Sequence, residues 1–134
     1  MSLTGKVCLV TGASRGIGRG VALALASEGA TVYITGRTLD PSSTMPGSLK
    51  VTAEEVNGRG GVAIPVQCDH GEDDEVHRLF DKIERDHGHI DLLVNNAFKG
   101  VTRITETISV PFWEQGMDSW DDCINVGLRF VIAK

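Results

Sequence analysis

No run of apolar residues in this chain is long enough to cross a bilayer, and the first residues lack a signal-peptide core. Basic residues are outnumbered: 13 Lys and Arg against 18 Asp and Glu leave a net charge of −5. No basic face is evident, which argues against nucleic acid as the main partner. Cysteine is scarce. Cys8, Cys68 and Cys123 are far apart, odd in number and form no C-x-x-C pair. A disulfide framework is therefore not expected, and reduced thiols in a cytosolic protein are. Cys8 lies inside an apolar run and reads as a small buried hydrophobe. Tyrosine is rarer still, with Tyr33 alone. What remains is ordinary for a soluble globular chain, at 41% hydrophobic and 23% charged residues. The 134 residues, 1–134, read as one domain by size.

The strongest pattern is Thr11-Gly12-Ala13-Ser14-Arg15-Gly16-Ile17-Gly18. The apolar run from Val7 to Val10 precedes it. Ile17, Val21 and Leu25 follow at helical spacing, with alanines between them. A glycine-rich turn between a strand and a helix is where a phosphate binds well, because first-turn N–H groups have no helical acceptor. Gly12 would turn the chain out of the strand. Gly16 would admit a pyrophosphate to the backbone, and Gly18 would let the helix pack close. The spacing G-x-x-x-G-x-G differs from the commoner G-x-G-x-x-G, so the strand and helix on either side carry the argument.

The alternation continues along the chain. Thr31 to Thr35 reads as a second strand, after Gly29 as a helix C-cap. Asp40 to Gly47, with two prolines, reads as a loop, and Leu49, Ala53 and Val56 as one helical face. Val62 to Val66 is the third strand, and its Pro65 predicts an edge position. Asp69 to Glu75 opens a helix with Val76, Leu79, Phe80 and Ile83 inward. His70, Asp69 and Asp73 could suggest a metal site, but capping and solvation explain the charges, so no metal is expected. His87 and His89 read as a solvated loop. Ile90 to Val94 reads as a fourth strand buried on both faces, leading to Asn95-Asn96-Ala97. A loop follows, then a last helix from about Met117 with Trp120, Ile124, Leu128 and Val131 on one face. Strands that alternate with helices predict an α/β, Rossmann-like, doubly wound parallel sheet of order 3-2-1-4.

The glycine turn, Asp69 after the third strand, Asn95-Asn96-Ala97 after the fourth and Asn125 in the last helix together resemble the short-chain dehydrogenase/reductase family. Tyr33 to Arg37, Phe112-Trp113 and Trp120-Asp121-Asp122 carry a finer likeness within it. The resemblance covers the whole chain but only the N-terminal half of such an enzyme. It implies that Gly12, Ser14, Gly16, Ile17 and Gly18 hold the cofactor's phosphates and nearby ribose, and that Asp69 lies by the adenine. Asn95 and Ala97 would shape the floor of the site and tie the fourth strand to its neighbours. Phe98 stands where the family has a glycine after Asn-Asn-Ala, with Gly100 two residues on. The family also implies a small-molecule carbonyl or alcohol substrate and a homo-oligomer when the protein is full length.

The choice between NADP(H) and NAD(H) follows from charge. An acidic residue at the end of the second strand would bind a ribose 2′-hydroxyl and repel a 2′-phosphate. Here that place is Gly36, followed by Arg37, and Arg15 lies on the same side in the family. Two guanidiniums around a phosphate favour NADP(H).

The family's proton-transfer tyrosine, with a lysine four residues later and a serine before it, has no counterpart in these residues. Only the relay asparagine, Asn125, is present. Tyr33 is in a strand, where Arg37 four residues on does not align with it. A cofactor-binding half of an NADP(H)-dependent oxidoreductase, inactive by itself, is therefore expected. Its fourth strand would be a bare apolar edge and its last helix would expose an apolar stripe. The alternatives are a non-catalytic nucleotide-binding or dimerising module, and an inert truncation product.

Overall fold

The computed structural model describes residues 2–42, 46–129 and 131. It forms two compact units, Met1–Asn96 and Ala97–Lys134. The first alternates strand and helix: β1 (Val7–Thr11), α1 (Gly16–Ser27), β2 (Thr31–Gly36), α2 (Leu49–Gly58), β3 (Val62–Gln67), α3 (Asp73–His87) and β4 (Leu92–Val94). All pairs are parallel and the order is β3-β2-β1-β4, the Rossmann-like arrangement the alternation predicts.

Burial follows position in the sheet. β1 is buried along its whole length and β2 at all but its first residue, so both read as continuous apolar or β-branched runs. β3 is an edge, as Pro65 requires; the proline pairs in register with Ile34. Alternate side chains face opposite layers. Cys8, Val10, Val32, Ile34 and Ala63 form one core with Ala22 and Ala26 of α1 and Leu49, Ala53 and Val56 of α2. Tyr33 faces the other layer, where its hydroxyl meets the Asp86 carboxylate at 3.2 Å and His87 Nδ1 at 2.9 Å at the end of α3. Helices thus cover both faces. In α3 the acids Asp73, Asp74 and Glu75 occupy the first turn and Arg85 and His87 the last, as the helix dipole favours. Val76, Leu79 and Ile83 are buried and Phe80 is half-buried.

Three expectations in this unit need correcting. The fourth strand does not start at Ile90 and is not buried on both faces. It is three residues long, with Leu92 exposed, because Asp91 is held at the entry to β1 and β4 pairs with β1 alone among the described strands. There Asp91 donates its N–H to the Val7 carbonyl at 2.8 Å, and its carboxylate accepts from Val7 N–H and Lys6 Nζ, each at 2.8 Å. His87 is exposed, as expected, but it ends α3 and is not in a loop, and its ring stands edge-on to Tyr33 at 5.5 Å. His70 is buried, with Nε2 2.7 Å from Thr35 Oγ1, rather than part of a solvated charged run.

The second unit contains α4 (Val101–Thr107), a 3-10 turn at Phe112–Glu114, α5 (Asp118–Cys123) and a π-helical segment at Ile124–Arg129. The stretch after Ala97, read as loop, therefore contains a helix. Its sequence, VTRITET, is rich in β-branched residues and gives no helical signal. The Thr105 and Thr107 hydroxyls turn back to the Val101 and Arg103 carbonyls. Asp122 of α5 pairs with Lys99 at 3.0 Å and with Arg103 at 3.2 Å. The last helix exposes its apolar stripe as expected, with Trp120 61%, Leu128 50% and Val131 42% accessible. Ser43 and the chain end at Lys134 lie outside the described residues.

Candidate functional site

The glycine turn leaves β1 at Thr11 and enters α1 at Gly16. Gly12 and Gly16 have φ of 71° and 57°, a region that favours glycine. At Gly18 the constraint is space. A Cβ there would lie 2.4 Å from the Gly12 carbonyl oxygen and 2.5 Å from Asn96 Nδ2, so α1 starts directly on the turn. At Gly16 a Cβ would meet nothing within 4 Å, which leaves room over first-turn N–H groups that have no helical acceptor. Ile17 beside it is 79% exposed, an apolar side chain held out at the helix start.

The turn is braced from several directions. Ala13 N–H donates to the Thr35 carbonyl at 2.9 Å, and the Thr52 hydroxyl of α2 donates to the Ala13 carbonyl at 3.0 Å. Asn96 Nδ2 donates to the Thr11 and Gly12 carbonyls, both at 3.0 Å, and Asn96 N–H donates to Thr11 Oγ1 at 3.0 Å. Thr11 Oγ1 in turn donates to the Val94 carbonyl at 3.3 Å. These bonds joining the end of β4 to β1 are made by Asn96, whereas the expected tie named Asn95 and Ala97. Asn95 is exposed. Asn96 and Thr52 were missed; only the doubled asparagine hinted at the first.

Arg15, the residue before α1, has an extended backbone and is half-buried. Its Nη2 donates to Thr38 Oγ1 at 3.4 Å, which carries the guanidinium to the end of β2. There Gly36 is buried, a Cβ on it would come within 3.8 Å of Ser14, and Arg37 is exposed. Arg37 and Asp69 line one groove of about 780 Å³ together with Val66, Gln67 and Leu79. Gln67 Nε2 donates to the Arg37 carbonyl at 2.9 Å, and Asp69 Oδ1 accepts from Gly71 N–H at 2.9 Å. No grouping of three His, Cys, Asp or Glu side chains suited to a metal ion occurs among the described residues. Open space at Gly16, helix-start N–H groups and the Arg15 guanidinium beside a strand end without a carboxylate at its last position make a place where a phosphate group can sit.

The family model described as short chain dehydrogenase matches residues 6–133. The chain belongs to the short-chain dehydrogenase family. Human dehydrogenase/reductase SDR family member 1 is 51% identical over 128 residues, which are 95% of this chain and 39% of that protein. Hydroxysteroid dehydrogenase-like protein 2 of Danio rerio is 37% identical over 127 residues, 95% of this chain and 29% of the relative. A metagenomic short-chain oxidoreductase solved in complex with NADP superposes with a TM-score of 0.83 at 33% identity, covering 99% of this chain and 54% of that one. This short-chain dehydrogenase therefore spans less than half the length of those two relatives.

Its one tyrosine is placed against catalysis. Tyr33 is fully buried in the sheet, and its pKa is pushed up to about 12 by burial first, then by the Asp86 charge and hydrogen bond. Proton transfer in the family needs the opposite shift, toward phenolate. Cys8 is no nucleophile either: burial, then the Asp91 charge, pushes its thiol up. Asn125 lies exposed in the π-helical segment of the second unit, a rare geometry frequent at functional sites. Phe98, in place of the family glycine, lays its ring on Gly100, where a Cβ would come within 2.6 Å of it. No helix among the described residues is long and apolar enough to cross a membrane.

Proposed function

We propose that this short-chain dehydrogenase is the cofactor-binding part of an NADP(H)-dependent oxidoreductase for a small carbonyl or alcohol. In this reading Gly12, Gly16 and Gly18 bring the backbone to the pyrophosphate, with Ser14 and Ile17 at the adjoining ribose. Arg15 and Arg37 take the 2′-phosphate, Asp69 lies by the adenine, and Asn95 and Ala97 shape the floor. Asn125 is the relay member of the proton path. The cofactor, when bound, supplies or accepts the hydride. The chain contributes binding and orientation, and without a Tyr-x-x-x-Lys pair it does not turn over by itself.

One observation carries the preference for NADP(H): the Arg15 guanidinium reaches Thr38, beside Arg37, at a strand end occupied by Gly36. The relative solved with NADP supports a nicotinamide cofactor of this kind. Titration of NADPH and NADH into the protein tests it. NADPH is expected to bind at least about tenfold tighter, a difference of roughly 1.4 kcal/mol. Equal or tighter NADH binding overturns the preference. NADPH oxidation with reactive ketones by the isolated chain would contradict the inactivity.

The exposed stripe at Trp120, Leu128 and Val131 favours a second reading, a dimerising module that pairs with a full-length copy. Light scattering of the chain mixed with a full-length copy tests it: no mixed species at working concentrations removes the second reading.

A further inference from the structure

Gly47, two residues before α2, lies against the glycine turn. The backbone there has φ +86°, and a Cβ would lie 2.5 Å from the Ser14 carbonyl oxygen and 3.1 Å from Arg15 Cβ. Backbone thus lies directly on the residue whose guanidinium reaches the end of β2. The approach is fixed by the start of α2. Leu49 N–H donates to the Thr38 carbonyl at 2.9 Å, and Lys50 N–H to the Leu39 carbonyl at 3.1 Å, closing the neck. Buried Ser48 accepts from Val51 N–H at 3.2 Å and caps α2, which Thr52 then anchors to the Ala13 carbonyl at 3.0 Å. The neck that seats Gly47 includes Thr38, whose hydroxyl accepts from Arg15.

We propose that Gly47 is a positioning residue for Arg15 and so sets the preference for a 2′-phosphate. This inference rests on the NADP(H) reading above. A side chain at Gly47 must push aside either the Ser14 carbonyl or the Arg15 stem, because the bonds of Leu49, Lys50 and Thr52 hold the start of α2 beside Gly47 in place. The guanidinium then leaves Thr38 and the end of β2. The loss falls on the part of the ligand that distinguishes NADPH from NADH.

Gly60 supplies the control. Its φ is +84°, but a Cβ there would meet nothing within 4 Å. Gly60→Ala therefore imposes the same backbone strain without the obstruction. Dissociation constants for NADPH and NADH are measured for the wild type, Gly47→Ala, Gly60→Ala and Thr38→Val, each checked for folding by circular dichroism. Gly60→Ala is expected to keep the wild-type ratio within about twofold, while Gly47→Ala loses most of it, with NADPH binding weakened about tenfold. Thr38→Val removes only the acceptor and is expected to lower the ratio about threefold. A folded Gly47→Ala that keeps the wild-type ratio, or a Gly60→Ala that loses as much, overturns the inference alone. If Gly47→Ala does not fold, an unchanged ratio in Thr38→Val overturns it. A wild-type ratio near one instead fails the NADP(H) reading, and the inference falls with it.

Discussion

Gly18 has no room for a methyl group. Gly18→Ala must displace the Gly12 carbonyl or Asn96, and is expected to destabilise the fold by about 1–3 kcal/mol in urea denaturation. Gly16→Ala meets open space and is expected to cost only the left-handed backbone, roughly 1–2 kcal/mol. Arg15→Ala should weaken NADPH binding about tenfold and leave NADH within about twofold, read by titration of both cofactors. The glycine spacing and the Gly36-Arg37 step were legible because they are local patterns. Asn96, Thr52 and Gly47 were not, because their partners lie 85, 39 and about 33 residues away and nothing local marks a long-range approach.

Among the elements, β1, β2 and α3 announced themselves by β-branched runs and by a 3.6-residue period. α4 did not, since its threonines and isoleucine favour strand and its packing decides otherwise. Tyr33 joins β2 to α3. Tyr33→Phe is expected to cost about 1 kcal/mol, because it removes the hydroxyl's bonds to Asp86 and His87. The same hydroxyl gives an alkaline signature. Its pKa rises from 10.0 to about 12 on folding, so its contribution is complete below pH 10 and is lost as the pH climbs toward 12. Thermal melts of Tyr33→Phe should lack that part of the decline. Asp91, between α3 and β4, gives the acid counterpart. Lys6 and the Val7 N–H hold its pKa at about 2 against an ordinary 3.8. Its contribution is therefore complete above pH 3.8 and lost as the pH falls toward 2, and Asp91→Asn should flatten the acid limb of the melting curve.

At the scale of the whole molecule, the exposed apolar residues gather in the second unit, with Phe112 80%, Trp113 72% and Trp120 61% accessible. Tryptophan emission in the native protein should be red-shifted and quenched freely by acrylamide. Replacing Phe112 and Trp113 together by serine should raise the concentration at which scattering begins, with the melting temperature unchanged. The apolar stripe was legible from its spacing; the widening of the helix at Ile124 was not, because a π turn has no residue signature of its own. The two flanks of the sheet are also unlike. β3 carries Pro65, which has no N–H to offer, while β4 ends the other side as three residues with Leu92 exposed. Any further strand, from whatever source, would find a broken template on one side and a usable one on the other. The two edges therefore differ in what they offer an incoming strand, and Pro65 is one residue that makes the difference.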